Sequence, residues 1–205
     1  MSTTKRGPAR PTGVMSPRGL HKLGHRLWFG PVHAGLVREL DPGPGQRVLD
    51  VGAGTGALAE RVSATGATVI CVEPDAGSLT AARRRLAGRD AEFVTAAAEA
   101  IPLPSGSADG AVVSLSAHHW NDRDQGFREI ARVLRPGGRV VIAEFRPAGP
   151  VRALLRRLGG SKHGTAPDAA AWTAALTGAG FAEARVVPAG WASVLVLLIA
   201  GRKNP

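Results

Sequence analysis

Tyrosine is absent from the 205 residues, and cysteine occurs once, at Cys71. A lone cysteine excludes an internal disulfide and fits a reducing compartment, expected to be cytoplasmic. It lies in the strand-like run Thr68-Val69-Ile70-Cys71-Val72, where a buried, inert thiol is expected rather than a nucleophile. No apolar run reaches the ~18 residues a membrane helix needs. The longest candidate, Val194 to Ala200, is strand-sized. Positive charges near the N-terminus have no apolar stretch behind them, which argues against a secretory signal. No internal repeat is present.

Charge is short in the middle of the chain and abundant at its flanks. The net charge is +10. Residues 1–40 carry seven Lys/Arg against one acid, residues 41–150 twelve against thirteen, and residues 151–205 seven against two. Basic flanks suit a nucleic-acid enzyme. They equally suit a solvated tail on an arginine-rich protein. Aromatic residues make up 4% of the chain, and no aromatic-rich strand accompanies the charge, so nucleic acid is the less favoured partner.

What is present fits one domain with a sizeable core. Residues 1–17 are rich in Pro, Gly, Thr, Ser and Arg and read as a disordered basic tail. Residues 18–44 read as a helical cap. Leu20, Leu23, Leu27 and Trp28 recur at helical spacing, and a second helix after Pro31 carries Val32, Leu36, Val37 and Leu40 on one face. Residues 45–146 then alternate. Strands are expected at Arg47–Val51, Thr68–Val72, Ala91–Thr95, Gly110–Leu115 and Arg139–Phe145, and helices at Thr55–Thr65, Asp75–Leu86 and Asp122–Leu134. Residues 147–205 add helices at Val151–Leu158 and Asp168–Leu176, then strands at Ala182–Val187 and Ala192–Ala200. The alternation predicts an α/β fold, a mostly parallel sheet with helices on both faces. Only Pro188-Ala189-Gly190 separates the last two strands, too few for a parallel crossover, so they are expected to form an antiparallel hairpin.

The chemistry-bearing motif is Val48-Leu49-Asp50-Val51-Gly52-Ala53-Gly54-Thr55-Gly56, a strand running into a glycine loop at the start of a helix. Glycines permit positive φ and close approach of a ligand. In open parallel sheets ligands bind beyond the carboxyl ends of the strands. Glu73 stands at the end of the second strand, where a carboxylate can accept both ribose hydroxyl protons. Loop and acid together signal an adenosine site. Gly52-x-Gly54-x-x-Ala57 also satisfies the loose dinucleotide fingerprint, so the loop leaves a nicotinamide cofactor open.

Three further segments narrow the choice: Val72-Glu73-Pro74-Asp75; Ala98-Glu99-Ala100-Ile101-Pro102-Leu103-Pro104, with Asp109 opening the next strand; and Glu129-Ile130-Ala131-Arg132-Val133-Leu134-Arg135-Pro136-Gly137-Gly138, running into Arg139-Val140-Val141-Ile142. With the glycine loop they resemble the class I S-adenosylmethionine (SAM)-dependent methyltransferases, in particular the small type 11 group that acts largely on small molecules. The resemblance covers about residues 45–146. It implies a Rossmann-like sheet of seven strands with the last antiparallel, and SAM as the cofactor. It places Asp50 and the backbone of Gly52 and Gly54 by the methionine part, Ala53 and Gly56 in the same cofactor-binding loop, and Glu73 at the ribose. Pro74 and the Ala98-Glu99 backbone would flank the adenine, and Ser114, Leu115 and Ser116 would lie beneath the methionyl end. Many relatives carry Asp before the Ala-Glu pair; this chain has Ala97.

Ser116-Ala117-His118-His119-Trp120 follows the fourth strand at the ligand end. His118 and His119 are the candidate general bases, needed only if the acceptor must lose a proton. Trp28, His33 and Trp120 are the candidate walls of a substrate pocket. No Asp or Glu at ligand spacing joins the histidines, so no metal is expected. Arg152, Arg156, Arg157 and Lys162 either favour an acidic substrate or face water. The expected activity is methyl transfer to an O, N or C atom of a small molecule. The rivals are a methyltransferase for nucleic acid or protein, an NAD-dependent oxidoreductase, and a non-catalytic SAM-binding protein.

Overall fold

The computed structural model describes residues 17–146, 168–188 and 196–205, with side chains from residue 29 onward. The chain forms two compact units, Met1–Gly30 and Pro31–Pro205. Residues 17–30 of the first are helical. The second unit holds the sheet and the candidate site.

Helix α1 (Pro17–Leu40) contains Pro31, so the two helical segments expected from the sequence are one run. A proline inside a helix forfeits a backbone bond at a cost of about 3 kcal/mol. Downstream of it, Val32, Leu36 and Leu40 are buried in the core and offset that cost.

The strands are β1 (Arg47–Val51), β2 (Thr68–Val72), β3 (Ala91–Val94), β4 (Ala108–Ser114), β5 (Leu134–Phe145), β6 (Phe181–Val187) and β7 (Val196–Lys203). Among the described residues they form a seven-stranded sheet in the order β3-β2-β1-β4-β5-β7-β6. β1 to β5 are parallel, and β7 is antiparallel to both β5 and β6. The expected antiparallel pair is therefore present. Its second strand lies inside the first, between β5 and β6, an order that the sequence alone left open. The order in which successive strands are added reverses at β1, which lies between β2 and β4, all three running in the same direction. A crevice opens at such a switch point, beyond the carboxyl ends of β1 and β4.

Between the strands run α2 (Ala57–Ser63), α3 (Ala76–Arg85), α4 (Arg123–Val133) and α5 (Ala169–Gly178). Asp75, Asp122 and Asp168 cap α3, α4 and α5, accepting from the amides of Ser78, Gln125 and Ala171 at 2.6, 2.9 and 2.8 Å. The strands bury both faces. Leu49, Val51, Ile70, Val113 and Ile142 pack with Phe127, Ile130, Trp172 and Leu176 of α4 and α5. Val48, Val69, Val112 and Val141 pack on the other side with α1, α2 and α3. This two-sided burial is why the strands read as continuous apolar runs. The expected helix at Val151–Leu158 and the start of the expected strand at Ala192 lie outside the described residues.

Two segments distant in sequence are clamped together. The Ile101 amide donates to the Glu129 carboxylate at 2.9 Å, and Arg132 donates to the carbonyls of Ile101 and Leu103 at 2.7 and 2.8 Å. The third and fourth sequence motifs thus form one physical unit that fixes the loop after β3.

Candidate active site

Gly52, at φ 75°, turns the chain out of β1, and its amide donates to the Val72 carbonyl at 2.8 Å, tying the turn to the end of β2. Gly54 and Gly56 are also left-handed, at φ 52° and 77°. Gly56 caps α2, so the helix starts at Ala57 rather than at the expected Thr55. A Cβ on Gly52 would lie 2.4 Å from both Cβ and Oγ of Ser116. Ser116 Oγ in turn donates to the Val51 carbonyl at 2.9 Å. The loop after β4 therefore seats directly on the glycine turn, and only glycine permits the contact.

Glu73 points into the turn. Its Oε2 accepts from the Gly54 amide at 2.9 Å and its Oε1 from the Asp75 amide at 3.1 Å. A carboxylate has about four lone-pair sites, so capacity remains for further donors. Pro74 is exposed beside it, and Ala53 is buried.

Beneath the turn, Asp50 is 1% exposed. Burial pushes its carboxyl up to about 7, the charge of Glu73 adds to the rise, and the Ala59 amide opposes it. Its Oδ2 has no hydrogen-bond partner among the described residues. A buried, unpaired carboxylate oxygen is costly and marks a place where a donor or a cation would be stabilised.

On the other side of the crevice, β4 ends at Ser114 and Leu115 adopts φ 53°, held by its amide's bond to the Ala143 carbonyl at 2.8 Å. Such strain in a non-glycine residue costs of order 1–3 kcal/mol and persists where the surroundings over-determine it. A single 3₁₀ turn, Ala117–His119, follows. Here the structure supplies a residue the sequence reading missed. Glu144, near the end of β5, is 2% exposed, and its two oxygens meet the Ala117 amide and His118 Nδ1, each at 2.8 Å. The hydrogen bond to Glu144 holds the His118 imidazole above its ordinary value, partly opposed by burial. A carboxylate inside the apolar run Val140–Phe145 was the signal that could have revealed it. The His119 ring lies 3.9 Å from that of His118, centroid to centroid.

Other expected site residues have different local duties. Ala98 is buried in the core, and the Glu99 side chain accepts from the amides of Asn121 and Asp122 at 2.7 and 3.1 Å. Trp120 packs edge-on against Phe127 at 5.5 Å and covers Gly126, whose added Cβ would come within 2.5 Å of the indole. Trp120 thus anchors the loop onto α4. Gly126→Ala is expected to cost about 1–3 kcal/mol through overpacking, measurable by denaturant unfolding; an unchanged midpoint would refute that packing role. His33 is buried on α1. The side chain of Trp28 and residues Arg152, Arg156, Arg157 and Lys162 lie outside the described residues. Among the described residues, no cluster of three or more His, Cys, Asp or Glu could hold a metal ion, and no helix is long and apolar enough to cross a membrane.

Comparison with known proteins agrees with this architecture. Residues 49–142 match the family model described as a methyltransferase domain, type 11. The chain is 40% identical over 133 residues to a demethylmenaquinone methyltransferase of Clavibacter sepedonicus, covering 64% of this chain and 52% of that protein. It is 36% identical over 136 residues to the ubiquinone/menaquinone biosynthesis C-methyltransferase UbiE of Hahella chejuensis, covering 62% and 53%. The match thus spans about half the length of these curated relatives. Among solved structures, a SAM-dependent methyltransferase from Aquifex aeolicus superposes with a TM-score of 0.70 at 21% identity, over 92% of this chain and 99% of that one.

Proposed function

We propose that this chain, whose residues 49–142 match a type 11 methyltransferase domain, transfers the methyl group of SAM to a carbon atom of a small quinone-derived acceptor. The observation that carries the reading is the convergence of Glu73 and the glycine turn, with the carboxylate seated on the Gly54 amide. The quinone-derived acceptor is carried over from the names of the relatives.

The residues present suit the cofactor. Glu73 retains acceptor capacity for two ribose hydroxyls. The unpaired Oδ2 of Asp50 beneath the turn favours a cationic group above it. Gly54, whose added Cβ would meet nothing within 4 Å, leaves the backbone open to a ligand. SAM supplies an electrophilic methyl group on a cationic sulfur. This chain contributes alignment of the acceptor with that methyl and exclusion of water, from which most of the rate arises. The buried thiol of Cys71, pushed up to about 12 mainly by burial, takes no part. It is compatible with the reducing, cytoplasmic setting expected from the single cysteine.

S-adenosylhomocysteine is expected to bind and raise the melting temperature, with NAD producing no shift. Glu73→Ala should weaken that binding by about 10- to 100-fold, the worth of one or two charge-assisted hydrogen bonds. Titration calorimetry on both proteins checks this. Equal affinities, or a thermal shift with NAD alone, would reject the SAM site.

A further inference from the structure

The His118–Glu144 contact has a directionality that hydrogen-bond counting fixes. One Glu144 oxygen accepts from the Ala117 amide at 2.8 Å. The other faces His118 Nδ1 at 2.8 Å. A buried carboxylate is acceptor-only when ionised. With Glu144 ionised, the contact takes a proton on Nδ1, which leaves Nε2 as the bare nitrogen of the neutral ring. Glu144 is 2% exposed on a central strand, so its position is rigid. The His118 side chain is 33% exposed and its ring remains accessible. Ser116, two residues earlier, touches the glycine turn.

We propose that Glu144 is a positioning residue that locks His118 in the Nδ1–H tautomer, making Nε2 the base that takes a hydroxyl proton from the acceptor. The inference rests on the methyl-transfer reading and narrows its substrate class to acceptors with an ionisable hydroxyl, such as a hydroquinone. The hydroxyl proton passes to Nε2. The electron pair released from oxygen moves into the ring, and the ring carbon forms its bond to the methyl group. The carbon–sulfur bond breaks with its electron pair going to sulfur, which becomes a neutral thioether. The C–H proton of the methylated carbon then moves to the carbonyl oxygen and restores the hydroquinone. One proton remains on the imidazolium, stabilised by the Glu144 carboxylate.

Glu144→Gln tests the assignment, because the amide is nearly isosteric. If its oxygen keeps the Ala117 amide, its NH₂ group faces Nδ1 and forces the proton to Nε2. Two-bond proton–nitrogen NMR of the imidazole, recorded with S-adenosylhomocysteine bound, should show Nδ1–H in the native protein and Nε2–H in the variant. With demethylmenaquinone reduced to its hydroquinone as acceptor, kcat should fall about 100-fold in Glu144→Gln and in His118→Gln, with KM and S-adenosylhomocysteine affinity nearly unchanged. Glu144 and His119 are titratable groups that lie against the His118 ring. Removing the carboxylate should move the acidic limb of kcat/KM to lower pH. A native ring protonated on Nε2, or variants turning over at the native rate, would overturn the assignment and leave the methyltransferase reading standing. A carboxylate-fixed Nδ1–H ring with no methyl transfer to the hydroquinone would uphold the Glu144–His118 geometry and reject the proton-transfer role and the acceptor class together.

Discussion

Gly52→Ala is expected to cost the fold roughly 2–5 kcal/mol and to weaken S-adenosylhomocysteine binding by at least about 100-fold. Two penalties add. An alanine must hold φ near 75°, in the left-handed region. Its Cβ would also sit 2.4 Å from two Ser116 atoms, one of them a Cβ that no rotamer change can move. Relief requires the loop after β4 to retreat, breaking the Ser116 bond to the Val51 carbonyl and opening the crevice on its far side. The strain falls on the turn proposed to meet the ligand. Thermal unfolding should drop by about 5–15 °C for a chain of this size. The double variant Gly52→Ala with Ser116→Gly removes the overlap but not the backbone strain, so it should recover part of the stability. No recovery would show that φ alone carries the cost. A single variant within 1 °C of the native protein would contradict the contact itself.

Asp50 predicts an effect of similar size with an unusual sign. Its folded-state carboxyl is raised to about 7, against about 3.9 for an unfolded aspartate. Between these values the folded state binds more protons than the unfolded one. Stability from this group is therefore fully present below about pH 4 and is lost as pH rises to about 7, at up to ~1.4 kcal/mol per pH unit. Above pH 7 the ionised, half-unpaired carboxylate is a net burden. Asp50→Asn should accordingly stabilise the ligand-free protein by roughly 2–4 kcal/mol at pH 8 and do little at pH 4.

Ligand binding should respond in the opposite sense. A cationic group above the turn favours the ionised form, so SAM affinity should rise several-fold between pH 5.5 and 7.5 as Asp50 loses its proton. The asparagine variant should bind more weakly with that rise flattened. Denaturant unfolding and calorimetry across the pH range read both effects. A native protein whose SAM affinity is indifferent to pH would break the link between Asp50 and the cationic ligand.

The strand and helix sequence was legible because each element obeys a local rule. Buried parallel strands need continuous apolar runs such as Val48–Val51 and Val69–Val72, and the caps Asp75 and Asp122 mark helix starts through their own side chains. Pro31 lies inside α1 rather than between two helices because propensity is local, whereas Val32, Leu36 and Leu40 gain their burial from distant strands. The start of α2 shifted by two residues because Gly56, at φ 77°, belongs to the turn.

The candidate site divides along the same line. Gly52 and Glu73 could be named from the sequence, since a glycine turn after one strand and an acid after the next meet in any parallel pair of adjacent strands. Their contact, Gly54 amide to Glu73 carboxylate, follows from the β1–β2 register, Val51 opposite Val72. Glu144 could not be found that way. It lies 26 residues beyond His118, and only the pairing of Ser114 with Ala143 brings the two chain segments side by side. Nor does the sequence say that Trp120 is spent on Gly126 and Phe127, or that Glu99 caps a loop. The sequence by itself determined the α/β fold and the glycine-loop end of the candidate site, because both rest on backbone rules over short spans. The tertiary structure alone decided which acid partners which histidine and how Asp50 is desolvated, because electrostatics depends on distance and burial in space, not on separation along the chain.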